Sequence, residues 1–164
     1  MGGFSFAHGF VLMVATTILS VSFSAFGAAE KGQQFPELLA EGPKRIVVGG
    51  ETERWRTNLN YTDWALKNGQ FYVNDTLVFK YDPPNVTANS DQHSVYLLPD
   101  MFSFRTCNLK RATMVGNVTQ GGGEGFQFVL EAECRRQTYY FACGEKDHCT
   151  NGQMKFTVTP DRSR

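Results

Sequence analysis

From residue 46 onward the chain alternates between short runs of β-branched and aromatic residues and clusters of polar, glycine or proline residues. Ile46-Val47-Val48 precedes Gly49-Gly50, and further runs span residues 76–81, 94–97, 126–130, 138–143 and 154–158. Within these runs apolar and polar side chains frequently alternate, the period-2 pattern of a strand with one face buried. Asn74-Asp75, Asp82-Pro83-Pro84-Asn85, Gly121-Gly122-Gly123 and Asn151-Gly152 supply the turns between them. Strands this short at this spacing predict an all-β domain, a Greek-key sandwich or barrel. Helix is scarce. One short helix is expected near Thr62 or Asp63, either of which would cap Trp64-Ala65-Leu66-Lys67, and another near Asp100-Met101-Phe102. The glycine-rich stretch 121–125 reads as a hairpin connection or an extended turn. It is no phosphate loop, because no Lys-Ser/Thr follows and no helix is in prospect.

The first 29 residues follow a different pattern. Residues 9–29 carry no charged side chain, and Gly27 and Ala29 are small residues placed for a cut, which predicts a secretory signal peptide over residues 1–29. An apolar run of about 20 residues is also long enough to anchor a chain in a bilayer, but its Thr, Ser and Gly content and its terminal position favour the leader. Residues 30–43 hold two prolines and mixed charge and are expected to be an irregular leading segment. A single domain over residues 44–160 and a short tail, 161–164, complete the chain. Cleavage removes no Lys, Arg, Asp or Glu, so 16 basic and 16 acidic residues remain and the formal net charge is zero. There is then no global field to bring the protein to nucleic acid or to an anionic membrane, and neither partner is expected, nor is stable membrane insertion. Secretion gives meaning to the Asn-x-Thr sequons at Asn60, Asn74, Asn85 and Asn117, which predict a glycoprotein.

The candidate chemistry is concentrated in few residues. Of the three histidines His8 lies in the leader, leaving His93 and His148. Cys143, His148 five residues on and Gln153 five further can converge on one ion if they occupy a loop between two strands and His93 arrives from elsewhere. Two imidazoles, one thiolate and a weak axial group form the donor set of a blue-copper electron-transfer centre. With both imidazoles committed to metal, no base remains for a Ser or Cys nucleophile, and a filled site has no open position for substrate. An enzyme is therefore not expected. A zinc site from Cys134, Cys143, His148 and Cys149 lacks the paired C-x₂₋₄-C spacing of structural zinc.

The succession Val47-Val48-Gly49-Gly50, Trp55, Tyr61-Thr62-Asp63-Trp64-Ala65, Phe71, Asn74 through Tyr81, His93-Ser94-Val95, Cys107, Tyr140-Phe141-Ala142-Cys143, His148-Cys149 and Gly152-Gln153 resembles the phytocyanins, the plant cupredoxins of the cell exterior, over residues 44–159. The resemblance implies a cupredoxin-like fold with one or two short helices and one type 1 copper ion held by His93, Cys143 and His148. It places Gln153 in the axial position, as in the stellacyanin branch; Met154, one step further, would point the opposite way in a strand. It further implies a disulfide between Cys107 and Cys149, and His148 as the exposed edge through which electrons pass. The function implied is that of a secreted one-electron carrier of the apoplast or cell wall, monomeric and serving a redox partner, small molecule or protein, whose identity stays open.

Ser94 is a candidate supporting residue, with a backbone N–H or hydroxyl able to reach the Cys143 sulfur or the ligand loop; the alternative is an ordinary strand serine. Cys134 is left over. Four cysteines permit three complete pairings, and each consumes Cys143, so the competing expectation is a fully oxidised, metal-free sandwich that acts as an extracellular structural or interaction module. Residues 82–92 resemble an insertion beside the first ligand, read as an inert surface loop or as one that screens the site. No Pro/Ser-rich stalk or apolar tail is seen in the sequence, so a soluble protein is expected rather than a lipid-anchored one.

Overall fold

The computed structural model describes residues 41–85, 91–131 and 137–162, all within the compact unit formed by residues 39–164. The predicted leader, most of the segment 30–43, Cys134 and residues 86–90 of the long polar loop lie outside the described residues. Among the described residues the strands are β1 (Arg45–Val47), β2 (Thr76–Phe79), β3 (Val95–Leu98), β4 (Thr113–Gly116), β5 (Phe126–Val129), β6 (Tyr139–Ala142) and β7 (Lys155–Val158). They form a three-stranded sheet in the order β1-β2-β5 and a four-stranded sheet in the order β4-β3-β6-β7. β1 runs parallel to β2 with Ile46 opposite Leu77, while β2 and β5, β3 and β4, β3 and β6, and β6 and β7 are antiparallel.

Strand β4 carries little signal: Thr113 and Met114 are exposed, Val115 half-buried and Gly116 buried, with no alternation. The glycine run 121–125 joins β4 to β5, and those strands belong to different sheets, so it is an extended turn between sheets and no hairpin. Gly121 is needed there because a Cβ would lie 2.2 Å from the Tyr81 ring.

Helices are few. They are α1 (Gly50–Glu53), α2 (Tyr61–Asn68) and α3 (Met101–Thr106), with a 3-10 turn at Leu109–Arg111. The cap of α2 is Asn60, whose Oδ1 accepts the Asp63 N–H at 3.1 Å; Thr62 and Asp63, the expected caps, lie inside the first turn. Asp100 caps α3 by accepting the Ser103 N–H at 2.7 Å. A side-chain oxygen at that position satisfies one of the four N–H groups a helix start leaves without a partner.

Aromatic side chains join the two sheets. Phe79 of the small sheet lies 5.4 Å from Phe141 and 6.1 Å from Phe156 of the large one, measured between ring centroids. Phe156 also packs against Trp55, Tyr61 and Trp64, and all of these except Trp64 are fully buried. Each such side chain removed from water contributes about 1.5–3 kcal/mol, and tilted or edge-to-face ring pairs add about 0.5–1.5 kcal/mol beyond area. These aromatic side chains thus serve as core packing.

Tyr61 does more than fill space. Its hydroxyl donates toward the carbonyls of Arg54 (2.6 Å) and Arg56 (3.0 Å) and accepts the Arg56 N–H (2.7 Å), fixing the segment that carries Trp55. Burial pushes the Tyr61 hydroxyl pKa well up, so it stays protonated. Tyr61→Phe keeps the ring and strands those backbone groups, a loss of about 1–3 kcal/mol. The expected result is a lower urea midpoint with an unchanged slope.

Candidate metal centre

The pairing of β3 with β6 sets Tyr96 opposite Ala142. That register brings the residues before β3, His93 and Ser94, alongside the residues after β6, which begin with Cys143. His148 lies in the loop that leads from β6 to β7. The outcome is a cluster in which one side-chain donor each from His93, Cys143 and His148 lies within 4.8 Å of the others, with all three residues buried. His93 Nδ1 and His148 Nδ1 are 3.2 Å apart, and Cys143 Sγ is 3.5 Å from His148 Nδ1. Two bare imidazole lone pairs at that separation repel, so a proton or a cation between them is required.

The donor electrostatics follow from burial. Burial, helped by the adjacent His148, pushes the His93 pKa down to about 4, which holds its imidazole in the neutral form that ligates metals. Burial also pushes the Cys143 thiol up, against the opposing effect of backbone N–H groups from Ser94 and Glu145. A metal taken up at neutral pH must displace that thiol proton.

Ser94 is fully buried and uses all of its polar groups. Its N–H donates to Cys143 Sγ at 3.5 Å, its hydroxyl oxygen accepts the Gly144 N–H at 3.2 Å, and its carbonyl accepts the Trp55 indole N–H at 3.1 Å. It therefore holds the start of the ligand loop, touches the sulfur and ties both to the aromatic core. Gly144 lies so close to Tyr96 that a Cβ would come within 2.2 Å of its ring.

The rest of the loop is braced internally. The His148 N–H donates to the Glu145 carbonyl at 3.0 Å, and the Asp147 carbonyl accepts the N–H groups of Asn151 (2.8 Å) and Gly152 (3.3 Å). The Asn58 N–H donates to the Gly152 carbonyl at 3.1 Å, and the Met154 N–H to the His148 carbonyl at 2.9 Å. Cys149 is disulfide-bonded to Cys107, which ends α3 in the left-handed conformation. The bridge thus fastens the residue after His148 to a helix packed on the large sheet. Among the described residues the free cysteine is Cys143, which is buried.

Two placements differ from what the resemblance implies. His148 is no exposed edge: it is 4% exposed and His93 6%. It is His93 that lines a cleft of ≈ 570 Å³, with Trp55 and Tyr81 in its wall and Arg56, Lys80 and Asp91 among its charged groups. Gln153 is exposed and has a φ of 55°, whereas Met154 is fully buried in the cluster of side chains that contains Cys143. That burial pattern is the reverse of what an inward-facing amide at 153 needs. The strand alternation invoked for Gln153 is interrupted at that residue by the turn.

The sequon asparagines Asn60, Asn74, Asn85 and Asn117 are all exposed. At Asn117 the side-chain oxygen accepts both the N–H (2.9 Å) and the hydroxyl (2.7 Å) of Thr119, the two sequon residues facing each other. No helix among the described residues is long and apolar enough to cross a membrane.

Comparison with known proteins agrees with this geometry. The "Plastocyanin-like domain" family matches residues 55–153. "Blue copper protein 1b" of Medicago truncatula is 30% identical over 112 residues, 68% of this chain and 59% of that protein. "Early nodulin-like protein 1" of Arabidopsis thaliana is 34% identical over 116 residues, 70% of this chain and 26% of that one. The chain therefore spans less than two thirds of the length of these relatives. Among solved structures, cucumber basic protein, a blue copper protein, superposes with a TM-score of 0.52 at 26% identity, covering 71% of this chain and 99% of that one. Cucumber stellacyanin superposes with a TM-score of 0.55 at 22% identity, covering 75% and 100%, and speaks to the fold alone. The fold is cupredoxin-like.

Proposed function

We propose, for a chain that belongs to the plastocyanin-like family as a phytocyanin, that it is a type 1 copper protein carrying single electrons outside the cell. The observation that supports this most is the convergence of His93, Cys143 and His148 within 4.8 Å in a buried setting. The donors present fit copper: one thiolate and two imidazoles are the set that a blue-copper centre uses. Bound there, copper supplies a one-electron couple. The chain's own residues do the rest. His93 and His148 present Nδ1 inward, Cys143 presents its sulfur with the Ser94 N–H directed at it, and the loop bonds hold these groups in one arrangement. Hydrogen bonds that fix and tune ligands in this way typically carry 10–100-fold effects on affinity or activity.

A redox partner, small molecule or protein, approaches in this reading along the cleft that reaches His93. The exposed sequons and the apolar leader favour a secreted glycoprotein of the apoplast or cell wall, acting as a monomer. A metal-free structural or interaction module remains the competing reading, since the chain is also similar to proteins named early nodulin-like; the disulfide between Cys107 and Cys149, which leaves Cys143 outside it, favours the copper reading. The test is titration of the purified protein with Cu²⁺ under visible light. The expected result is an intense blue charge-transfer band that saturates at one ion per chain. A protein that stays colourless, with Cys143 recovered in a disulfide by peptide mapping, would sink the redox reading.

A further inference from the structure

We infer that Met154 supplies the weak axial donor of this centre and that Gln153, at the position the family pattern points to, is a spacer outside the ligand set. The inference rests on the copper reading above and deepens it. The antiparallel register of β6 and β7 pairs Tyr139 with Val158 and Ala142 with Lys155. One step further the same register sets Cys143 opposite Met154, and the Cys143 N–H donates to the Met154 carbonyl at 2.9 Å. Residues directly opposite in an antiparallel pair project to the same face, with Cβ atoms about 4.5–5.5 Å apart. The face that carries the Cys143 sulfur therefore takes Met154 as well.

The backbone agrees with that assignment. Met154 is bonded to both ligands of the loop, its carbonyl to Cys143 and its N–H to the His148 carbonyl at 2.9 Å. Gln153 sits at a φ of 55°, a region that non-glycine residues seldom occupy. Its carbonyl accepts the Lys155 N–H at 2.8 Å in a tight local turn. This is how a strand stows one extra residue, by pushing it out of the ladder and restoring the register behind it. Burial separates the two side chains in the same way: Met154 is 0% exposed, and Gln153 is exposed. A thioether is at home in an apolar wall without a hydrogen-bond partner, whereas a buried amide is not. A long, weak thioether contact beside two imidazoles and a thiolate is also a known blue-copper arrangement.

The test compares Met154→Leu, which keeps apolar volume and deletes the sulfur, with Gln153→Ala in the copper-loaded protein. Reduction potential and electron paramagnetic resonance are the readouts, and the thermal midpoint of the metal-free form is recorded alongside. Met154→Leu is expected to change the ratio of cuprous to cupric affinity tenfold or more, toward the cuprous form, which is about 59 mV for one electron. Gln153→Ala is expected to leave potential and resonance unchanged. The reverse pattern, or no shift in either variant, would overturn the inference while leaving the copper reading intact. Absence of a blue band in the unsubstituted protein would overturn the copper reading, and this inference with it. Should Met154→Leu fail to fold, nickel- or cobalt-loaded protein gives the same decision by nuclear magnetic resonance. Paramagnetically shifted methionine side-chain signals support the assignment, and shifted glutamine signals overturn it.

Discussion

Cys143→Ser is expected to abolish the blue band completely while leaving the metal-free fold in place. The band arises from thiolate-to-copper charge transfer, and the described residues of the cluster offer one thiol, that of Cys143. A serine hydroxyl does not ionise near neutral pH, so the site loses its only anionic donor. Loss of an outer-shell partner typically lowers metal affinity 10–100-fold; loss of this donor should exceed that. The fold should survive because oxygen can take over the contacts sulfur now makes, the Ser94 N–H and His148 Nδ1, both at 3.5 Å. Visible absorption under Cu²⁺ titration and the thermal midpoint of the metal-free variant check the two halves separately. A residual intense band in Cys143→Ser would remove Cys143 from the ligand set.

Removing the bridge with Cys107→Ala and Cys149→Ala together is expected to give the largest loss of stability. The bridged residues are 42 apart in sequence, and closing a loop of that length restricts the unfolded chain by ~4 kcal/mol on the chain-entropy account. That is a large part of the 5–15 kcal/mol by which a domain is stable. The site suffers as well, because Cys149 directly follows His148 and the bridge holds it to the end of α3. Lys155 reinforces that junction by donating to the carbonyls of Phe104 (3.1 Å) and Arg105 (3.2 Å) at the helix terminus. Chemical denaturation of the metal-free variant reads the first effect. A weaker, broader blue band and a lower copper affinity read the second. A midpoint unchanged from the parent protein would show that the bridge constrains nothing that matters to the fold.

The strands that were legible in the sequence are those with one strongly apolar face. β2, β6 and β7 bury residues such as Leu77, Phe79, Phe141, Phe156 and Val158, and their spacing is a direct print of that burial. β4 was silent because it lies at the edge of its sheet and buries little; pairing with β3 makes it a strand. α1 was equally silent, being four residues, Gly-Glu-Thr-Glu, with none buried. The start of α2 was misplaced because Asn60, Thr62 and Asp63 can all cap, and only the contact of Asn60 with Asp63 decides between them.

At the site, residue type singled out His93 and His148, the histidines outside the leader, whereas Cys143 was picked from four cysteines by its spacing to His148 and by the family resemblance. The choice between Gln153 and Met154 was not legible, because it depends on a single turn that shifts the strand register. Nor was the burial of His148, which comes from the packing of the loop on itself and on the segment around Asn58. Asp75 was read as a turn residue and proves to be a buried brace, accepting the N–H groups of Lys44 (2.8 Å) and Tyr72 (2.9 Å).

The two histidines of the cluster are 55 residues apart in sequence, and Ser94 is 49 from the sulfur it touches. Contacts of such separation form late, because the chain between them must be ordered first, and all-β domains rich in them fold in milliseconds to seconds. No local segment holds the complete donor set, so metal cannot nucleate this domain as zinc nucleates a finger. Completion of the site follows topology: the β3–β6 pairing must form before His93 joins Cys143 and His148.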